Sequence, residues 1–236
     1  MTTIPREKQK GCVIIPAYME QRKIHEVVSR ILKYIRHVIV IDDGSLDRTA
    51  EEAANAGAIV KRHKRNMGKG VALATGFQYA RDNQFDFLIT MDADGQHDPA
   101  DIPRFIEAYV RTGIPVLIGD RMGNMSEMPV IRKWTNRLMS WYLSRAMNQY
   151  IPDTQCGFRL YRCGVIPFIL ADAKRHAAES EILLHVVARG IQIGSIPIAV
   201  IYSDEKSKIN PFKDTLRFFL MIHRYHHSKR QIRART

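Results

Sequence analysis

Three aspartates follow an apolar stretch of the chain and could bind a cation together. The apolar segment is Leu88–Met91, and the acids after it are Asp92, Asp94 and Asp98. Carboxylates this close repel one another unless a cation lies among them. Asp92 and Asp94 are two residues apart, so their oxygens can converge from a turn. Because hard oxygen ligands suit Mg²⁺ or Mn²⁺, the pattern predicts a divalent metal bound together with phosphate.

Other interpretations of this acidic segment agree less well with its residues. A calcium-binding loop of the EF-hand type that began at Asp92 would have Pro103 at its twelfth position, where a bidentate glutamate is required. His97 could be a metal ligand, but a single histidine beside acids more often serves as a hydrogen-bond partner. A solvated acidic loop would not need so apolar a strand before it.

Two further polar clusters follow apolar segments in the same way. Pro16–Glu20 follows the residues CVII, and Asp42–Ser45 follows VIVI. The acids of the second cluster can form a simple turn beside Gly44, or bind a ribose or base edge. The chain contains neither the glycine motif of dinucleotide-binding folds nor that of P-loops, so both familiar nucleotide sites are excluded.

The elements that must position these clusters alternate along the chain. Short apolar runs typical of buried strands lie at residues 12–18, 37–45, 58–62 and 85–92, and helical periodicity lies at 24–35, 47–56 and 67–82. This alternation predicts right-handed crossovers and a doubly wound, largely parallel α/β sheet. Ligands bind such sheets outside the carboxyl ends of the strands. All three polar clusters lie at such ends.

Beyond residue 115 the alternation is less regular. We expect strands at 115–121 and 193–202, helices at 129–147 and 177–190, and a loop leading into a strand at 153–162. The helix at 129–147 carries both apolar and basic residues: Trp134, Leu138, Trp141 and Leu143, with Arg132, Lys133, Arg137 and Arg145. No repeat or flexible linker interrupts the chain, so a single domain is predicted.

Composition and charge narrow the class of protein. The chain has 236 residues, 45% hydrophobic and 25% charged, as in an ordinary globular protein. Its three cysteines match neither a disulfide framework nor a zinc site. No segment predicts a signal peptide or a membrane span, so we expect a cytoplasmic protein. The net charge of +12 favours anionic partners, but no nucleic-acid-binding motif is present and such a role would leave the aspartates unexplained.

Seven segments, in order along the chain, resemble glycosyltransferase family two. They are VIIPAYME, VIVIDDGSLDRT, NMGKGVALATGF, MDADGQHDP, DTQCGFRLY, ESEILL and SDEKSKINPFKDTLRF. The last three are similar in particular to the dolichyl- and polyprenyl-phosphate mannose or glucose synthases, and the resemblance extends over residues 11–220. One position departs from the family pattern, because Met19 stands where asparagine is frequent.

The resemblance implies a GT-A fold, a mixed and mostly parallel sheet flanked by helices. It also implies inverting transfer of a hexose, mannose or glucose, from a nucleotide-diphosphate sugar to a polyprenyl-phosphate lipid. The metal, Mg²⁺ or Mn²⁺, would lie at Asp92, Asp94 and Gln96, with Asp94 at the catalytic centre. Carried over by motif, the nucleotide-binding residues would be Pro16, Tyr18, Glu20, Asp42, Asp43, Lys69 and Asp92.

The acceptor side of the site needs cations. A phosphate monoester with a second pKa of about 6 is already largely ionised at neutral pH, so positioning matters more than a general base. The candidates are Arg121, Arg132, Lys206, Ser207 and Lys208, although Arg132 could also lie on a solvated helix face. Glu179 and Glu181 lie at a predicted helix start, where acids are favoured in any case. The resemblance gives these two glutamates a contact to a sugar hydroxyl or to the metal side.

The end of the chain predicts a membrane contact. We expect residues 1–211 to form the GT-A domain and residues 212–236 an amphipathic basic helix and tail. Such a tail would be attracted to an anionic membrane surface, which predicts a peripheral protein at the inner face of the membrane. Two alternatives remain: a family-two transferase with another lipid or saccharide acceptor in cell-envelope glycan synthesis, and a nucleic-acid-binding protein.

Overall fold

A computed structural model describes residues 10–123, 130–172 and 179–201, with side chains for 10–123, 133–170 and 180–201. The strands are β1 (Gly11–Ala17), β2 (Val38–Asp42), β3 (Ile59–Arg62), β4 (Phe87–Thr90), β5 (Val116–Asp120), β6 (Arg159–Arg162) and β7 (Ile193–Pro197). The helices are α1 (Ile24–Ile31), α2 (Thr49–Asn55), α3 (Lys69–Asp82), α4 (Ile102–Thr112), α5 (Val130–Met147), α6 (Ile166–Asp172) and α7 (Glu179–Ala188). Short 3₁₀ turns precede α4 and α6.

The strands form one seven-stranded sheet in the order β3-β2-β1-β4-β6-β5-β7. Only β6 runs antiparallel to its neighbours, β4 and β5, and the other pairs are parallel. The predicted mixed, mostly parallel sheet is therefore confirmed. Every residue of β2 and of β4 is buried, as expected of strands covered on both faces.

The strand order reverses between β1 and β4, and this reversal locates the site. From β1 the chain proceeds outward to β2 and β3, and then returns to place β4 on the other side of β1. A crevice forms at such a switch point, outside the carboxyl ends of the strands. Ala17 at the end of β1 pairs with Asp42 at the end of β2, and Ile14 pairs with Thr90 in β4. The three predicted polar clusters thus meet at one edge, which we call the β1–β4 rim.

Several elements differ from the prediction. α1 ends at Ile31 rather than near residue 35, and β7 ends at Pro197, which has no amide to donate to a neighbouring strand. α4 and α6 are not among the predicted elements. The sequence does carry a signal for α4, because Ile102, Phe105 and Tyr109 are buried at helical spacing and Gly113, with φ 66°, follows the last turn.

Two further observations bear on the predicted class of protein. Cys12 and Cys156 are buried and unpaired in disulfides, and burial raises the pKa of the Cys156 thiol to about 12, so these are packing residues. Within the described ranges, no helix has both the length and the apolar character needed to cross a membrane. The predicted helix and tail at 212–236 lie outside the described residues.

Candidate active site

The loops after β1 and β2 are joined by hydrogen bonds from main chain to side chain. The Met19 amide donates to Ser45 Oγ over 2.9 Å, and the Glu20 amide donates to Thr49 Oγ1 over 2.8 Å. Met19 has φ 58°, in the left-handed region that asparagine adopts more readily than most residues. Backbone conformation therefore accounts for the asparagine that is frequent at this position.

Asp43 fixes the turn that precedes α3. Its carboxylate is buried, accepts the amides of Met67 and Gly68 over 3.0 and 2.7 Å, and lies 2.7 Å from Nδ1 of His63. These bonds hold the start of α3, whose first residue is Lys69. The structure thus gives Asp43 a supporting contact, and its predicted contact to a nucleotide stays a prediction.

Asp42 is buried as well, but only one of its two carboxylate oxygens accepts a hydrogen bond. Oδ1 accepts the Ser45 amide over 3.0 Å, whereas Oδ2 lies 3.0 Å from Nε of Arg62 without hydrogen-bond geometry. Of the other residues predicted to bind the nucleotide, Pro16 is half-buried within β1 and Tyr18 is exposed just beyond it. This part of the rim therefore contains an exposed aromatic side chain, Tyr18, and a buried acid, Asp42.

Asp92 is held at the end of β4 by other segments of the chain. Its Oδ1 lies 2.5 Å from Nζ of Lys69. On its other side is Gly157, where a Cβ atom would come within 2.7 Å of Oδ2. Burial acts to raise the pKa of the Asp92 carboxyl, but the Lys69 ammonium, with a smaller contribution from Arg121, holds it well below its usual value. Asp92 is therefore an ionised group that only a glycine lets lie so close to the neighbouring loop.

His97 holds the main chain of Asp92 through a hydrogen bond. Its ring is buried against Phe158, with 5.5 Å between ring centroids, and Nδ1 accepts the Asp92 amide over 3.2 Å. Burial lowers the pKa of His97 despite the nearby acids. The ring is thus neutral at pH 7 with its proton on Nε2, and the interpretation of His97 as a hydrogen-bond partner is confirmed.

The third acid of the cluster serves a separate purpose. Asp98 Oδ1 accepts the Ala100 amide at the start of the 3₁₀ turn and lies 3.0 Å from Arg30. Asp94 Oδ1 accepts the Gln96 amide over 3.0 Å within the loop itself. Asp98 is therefore a cap and an ion-pair partner, whereas Asp92 and Asp94 remain at the rim.

Asp92 and Asp94 are carboxylates of the kind that could hold a divalent cation, with a bound ligand completing its coordination shell. Across the parts of the chain that the structure describes, no three or more His, Cys, Asp or Glu side chains are grouped to hold a metal. The protein would supply two carboxylates, both half-buried at the rim. Diphosphate oxygens and water would fill the remaining positions, as is usual where Mg²⁺ is bound with a phosphate substrate.

Arg121 is buried and paired with Asp153. Its Nε and one terminal nitrogen lie 2.6 and 3.0 Å from the two oxygens of that carboxylate. Burial acts to lower the pKa of Arg121, but its bonds to Asp153 raise the pKa above the usual value, so the guanidinium is always charged. Because two of its nitrogens already have a partner, a role for Arg121 in binding the acceptor phosphate stays a prediction.

The loop at 151–157, which carries Asp153, lies between α5 and β6 in the chain and is hydrogen-bonded to both α5 and α7. The Thr154 amide donates to Ser140 Oγ of α5 over 2.9 Å, and Gln155 Nε2 donates to Ser180 Oγ of α7 over 3.1 Å. Two of the segments recognised in sequence, DTQCGFRLY and ESEILL, are therefore in contact. We refer to this segment as the 151–157 loop.

The remaining predicted residues are located only in part. Glu181 lies in α7, 3.8 Å from Nε2 of His185 one turn later. Glu179 and Arg132 lie in α7 and α5, and only their main chain is described, whereas Lys206, Ser207 and Lys208 lie outside the described residues.

Sequence reasoning missed three residues of the DTQCGFRLY segment. They are Asp153, Gly157 and the buried Arg159, whose Nε and Nη2 donate to the carbonyls of Cys156 and Thr154 over 2.7 and 3.0 Å. The signal in the sequence was the pair of opposite charges, Asp153 and Arg159, in a segment whose other residues are uncharged.

The rim can now be compared with known proteins. The family model described as Glycosyl transferase family 2 matches residues 12–169. The chain belongs to this family. It is a glycosyltransferase, and the pairing of Asp92 with Lys69 lies inside the matched region.

Two relatives and one solved structure define its neighbours. The UDP-N-acetylglucosamine–dolichyl-phosphate N-acetylglucosaminyltransferase of Methanococcus voltae is 31% identical, over 81% of this chain and 86% of that protein. The polyprenol monophosphomannose synthase of Mycolicibacterium smegmatis is 29% identical, over 82% and 78%. Glucosyl-3-phosphoglycerate synthase from Mycobacterium tuberculosis, in complex with Mn²⁺ and UDP-glucose, superposes with a TM-score of 0.67 at 19% identity, over 85% and 73%. This last likeness shows the GT-A fold alone.

Proposed function

We propose that this glycosyltransferase moves a hexose from a nucleotide-diphosphate sugar to the phosphate of a polyprenyl-phosphate lipid, with inversion at the anomeric carbon. The observation that carries the proposal is the ionised Asp92, which faces Lys69 at the switch point between β1 and β4. Family membership supports the transfer chemistry. The names of the two relatives support a polyprenyl-type phosphate as the acceptor.

On the donor side, Asp92 and Asp94, with Gln96, would hold Mg²⁺ or Mn²⁺ against the diphosphate. When bound, the cation supplies Lewis-acid stabilisation of the charge on the leaving nucleoside diphosphate. Lys69 lies at the first turn of α3, where main-chain amides also favour negative charge. The base and ribose would lie along the residues predicted for them: Pro16, Tyr18, Glu20, Asp42 and Asp43.

On the acceptor side, an oxygen of the lipid phosphate attacks the anomeric carbon from the face opposite the leaving group. One carbon–oxygen bond forms as the bond to the diphosphate breaks, and the configuration inverts. A phosphate with a second pKa of about 6 needs no general base for this step. Cations would orient it instead: Arg121, Arg132, Lys206 and Lys208, with Ser207 as a hydrogen-bond donor. Glu179 and Glu181 would contact the sugar hydroxyls.

A direct assay tests this function. Purified protein is incubated with a short prenyl phosphate and, in turn, GDP-mannose, UDP-glucose and UDP-N-acetylglucosamine, with Mn²⁺, with Mg²⁺ or with EDTA. Mass spectrometry is expected to detect a prenyl-phosphate hexose from one donor, and EDTA is expected to abolish it. Transfer of sugar to a saccharide or to a lipid without phosphate would favour the alternative acceptor. Transfer of N-acetylglucosamine alone would correct the sugar but not the acceptor.

A further inference from the structure

One face of α5 exposes large apolar side chains to solvent. Trp134, Leu138 and Trp141 are 68%, 52% and 60% exposed. Their spacing of four and then three residues places them on one side of the helix. Arg137 and Arg145 are exposed on the same side. These five residues are called the α5 face.

The opposite side of α5 is firmly attached to the protein. Met139, Leu143 and Met147 are buried there. Ser140 bonds to Thr154 of the 151–157 loop, and Ser144 Oγ accepts the Ile151 amide over 2.9 Å. One side of α5 is therefore fixed to the protein and holds the 151–157 loop. The other side presents the apolar residues to solvent.

The charges on α5 are all of one sign. Its 18 residues include Arg132, Lys133, Arg137 and Arg145 and no aspartate or glutamate. Tryptophan and arginine together are typical of helices that lie in a membrane interface, where the rings reach the acyl boundary and the cations meet lipid phosphates. A second copy of the same face would bring like charges together, which disfavours self-association.

We propose that the α5 face docks onto an anionic lipid bilayer. The inference rests on the proposed function, because a polyprenyl-phosphate acceptor lies in a membrane. It identifies the side of the protein that faces this membrane. The 151–157 loop is bonded to the opposite side of the same helix, so docking through α5 places the loop about one helix diameter, roughly 10 Å, from the bilayer surface. Docking differs from the electrostatic contact expected of the basic tail, because tryptophan side chains must leave water.

The two tryptophans of the α5 face are the only ones in the chain, so their fluorescence reports this surface without a label. The full-length protein is titrated with phosphatidylcholine vesicles, with or without phosphatidylglycerol. We expect a blue shift of emission on the anionic vesicles and quenching by lipids brominated along the acyl chain. Leu138→Glu keeps both reporters and is expected to weaken vesicle binding about tenfold or more. Leu46→Glu, the same exchange at an exposed leucine in the β2–α2 loop, is expected to bind like the wild type.

The outcomes separate the possible occupants of this face. Neutralising the tail by Lys229→Gln, Arg230→Gln, Arg233→Gln and Arg235→Gln is expected to weaken affinity but leave the blue shift at saturation. Vesicle binding without any shift would assign the contact to the tail and overturn the proposal. A lipid-free dimer that Leu138→Glu dissociates, or unchanged vesicle binding by Leu138→Glu, would overturn it too.

Neither donor nor acceptor is present in this assay. Transfer to a short soluble prenyl phosphate, which Leu138→Glu should retain, therefore tests the proposed function independently.

Discussion

On the β1–β4 rim, the carboxylates of Asp43 and Asp94 accept main-chain amides, whereas in the 151–157 loop the carboxylate of Asp153 is paired with a buried guanidinium. Asp43 accepts the amides of Met67 and Gly68, and Asp94 accepts that of Gln96. In the loop, by contrast, Asp153 is held by the guanidinium of Arg121. The Asp94 contact is made within its own turn, and the amides that Asp43 accepts lie 24 and 25 residues along the chain. The pair of Arg121 and Asp153 requires two side chains 32 residues apart to be buried together.

This difference separates chemistry from stability. A rim acid such as Asp94 reaches solvent, so its amide analogue keeps the turn and loses mainly the charge. Asp153 is fully buried, and its removal leaves the Arg121 charge without a partner in a medium that solvates it poorly. Substitutions at the rim are therefore expected to change transfer rates, and substitutions in the Arg121–Asp153 pair are expected to change the free energy of unfolding.

The largest effect is expected at Asp94. Asp94→Asn removes a carboxylate proposed to hold the metal and diphosphate, and we expect the transfer rate to fall about a thousandfold. Circular dichroism and the melting temperature should stay near wild type. Asp98→Asn is the control, because Asp98 caps a turn and pairs with Arg30 instead. Equal loss of rate in both variants would contradict the separation of the two acids.

The largest effect on stability is expected at the buried pair. Asp153→Ala should lower the free energy of unfolding by about 3–5 kcal/mol, measured by urea denaturation, because it leaves the buried Arg121 charge without its partner. Glu51→Ala breaks an exposed pair with Arg48 and should have little effect. A small loss for Asp153→Ala would show that water reaches the guanidinium.

Gly157 connects the two regions. In Gly157→Ala the added Cβ would come within 2.7 Å of Asp92 Oδ2, so the carboxylate must leave the position in which it contacts Lys69 or the loop must shift. We expect about a hundredfold loss of transfer rate. Gly164→Ala adds the same methyl group where no atom lies within 4 Å, and it should transfer sugar at the wild-type rate. Similar rates for the two variants would mean that the position of Asp92 is not critical.

The smallest effect is expected at Met19. Its φ of 58° disfavours a long side chain, so Met19→Asn should raise the free energy of unfolding by roughly 0.5–1 kcal/mol. The contact from the Leu46 amide to the Met19 sulfur, at 3.4 Å, is a weak bond to lose. Thermal denaturation checks the sign, and a lower melting temperature would assign more weight to that sulfur contact.

The strands and the position of the site could be predicted from the sequence because both depend on local patterns. Apolar runs in β1, β2 and β4 are continuous because those strands are buried on both faces, and polar residues begin where each strand ends. The rule for doubly wound sheets then brings the three ends together. The acidic pair at Asp92 and Asp94 was therefore found without knowledge of the strand order.

Only the tertiary structure decided which charges meet and which side of α5 is exposed. Asp92 pairs with Lys69, 23 residues earlier, Asp98 with Arg30 at 68 residues and Arg121 with Asp153 at 32 residues. No local pattern encodes such pairs, because they arise when separate elements pack. Likewise, α5 is apolar on more than one side, so periodicity does not distinguish Trp141 from Leu143. In the folded protein, α5 packs against α7, Leu143 is buried and Trp141 is exposed to solvent.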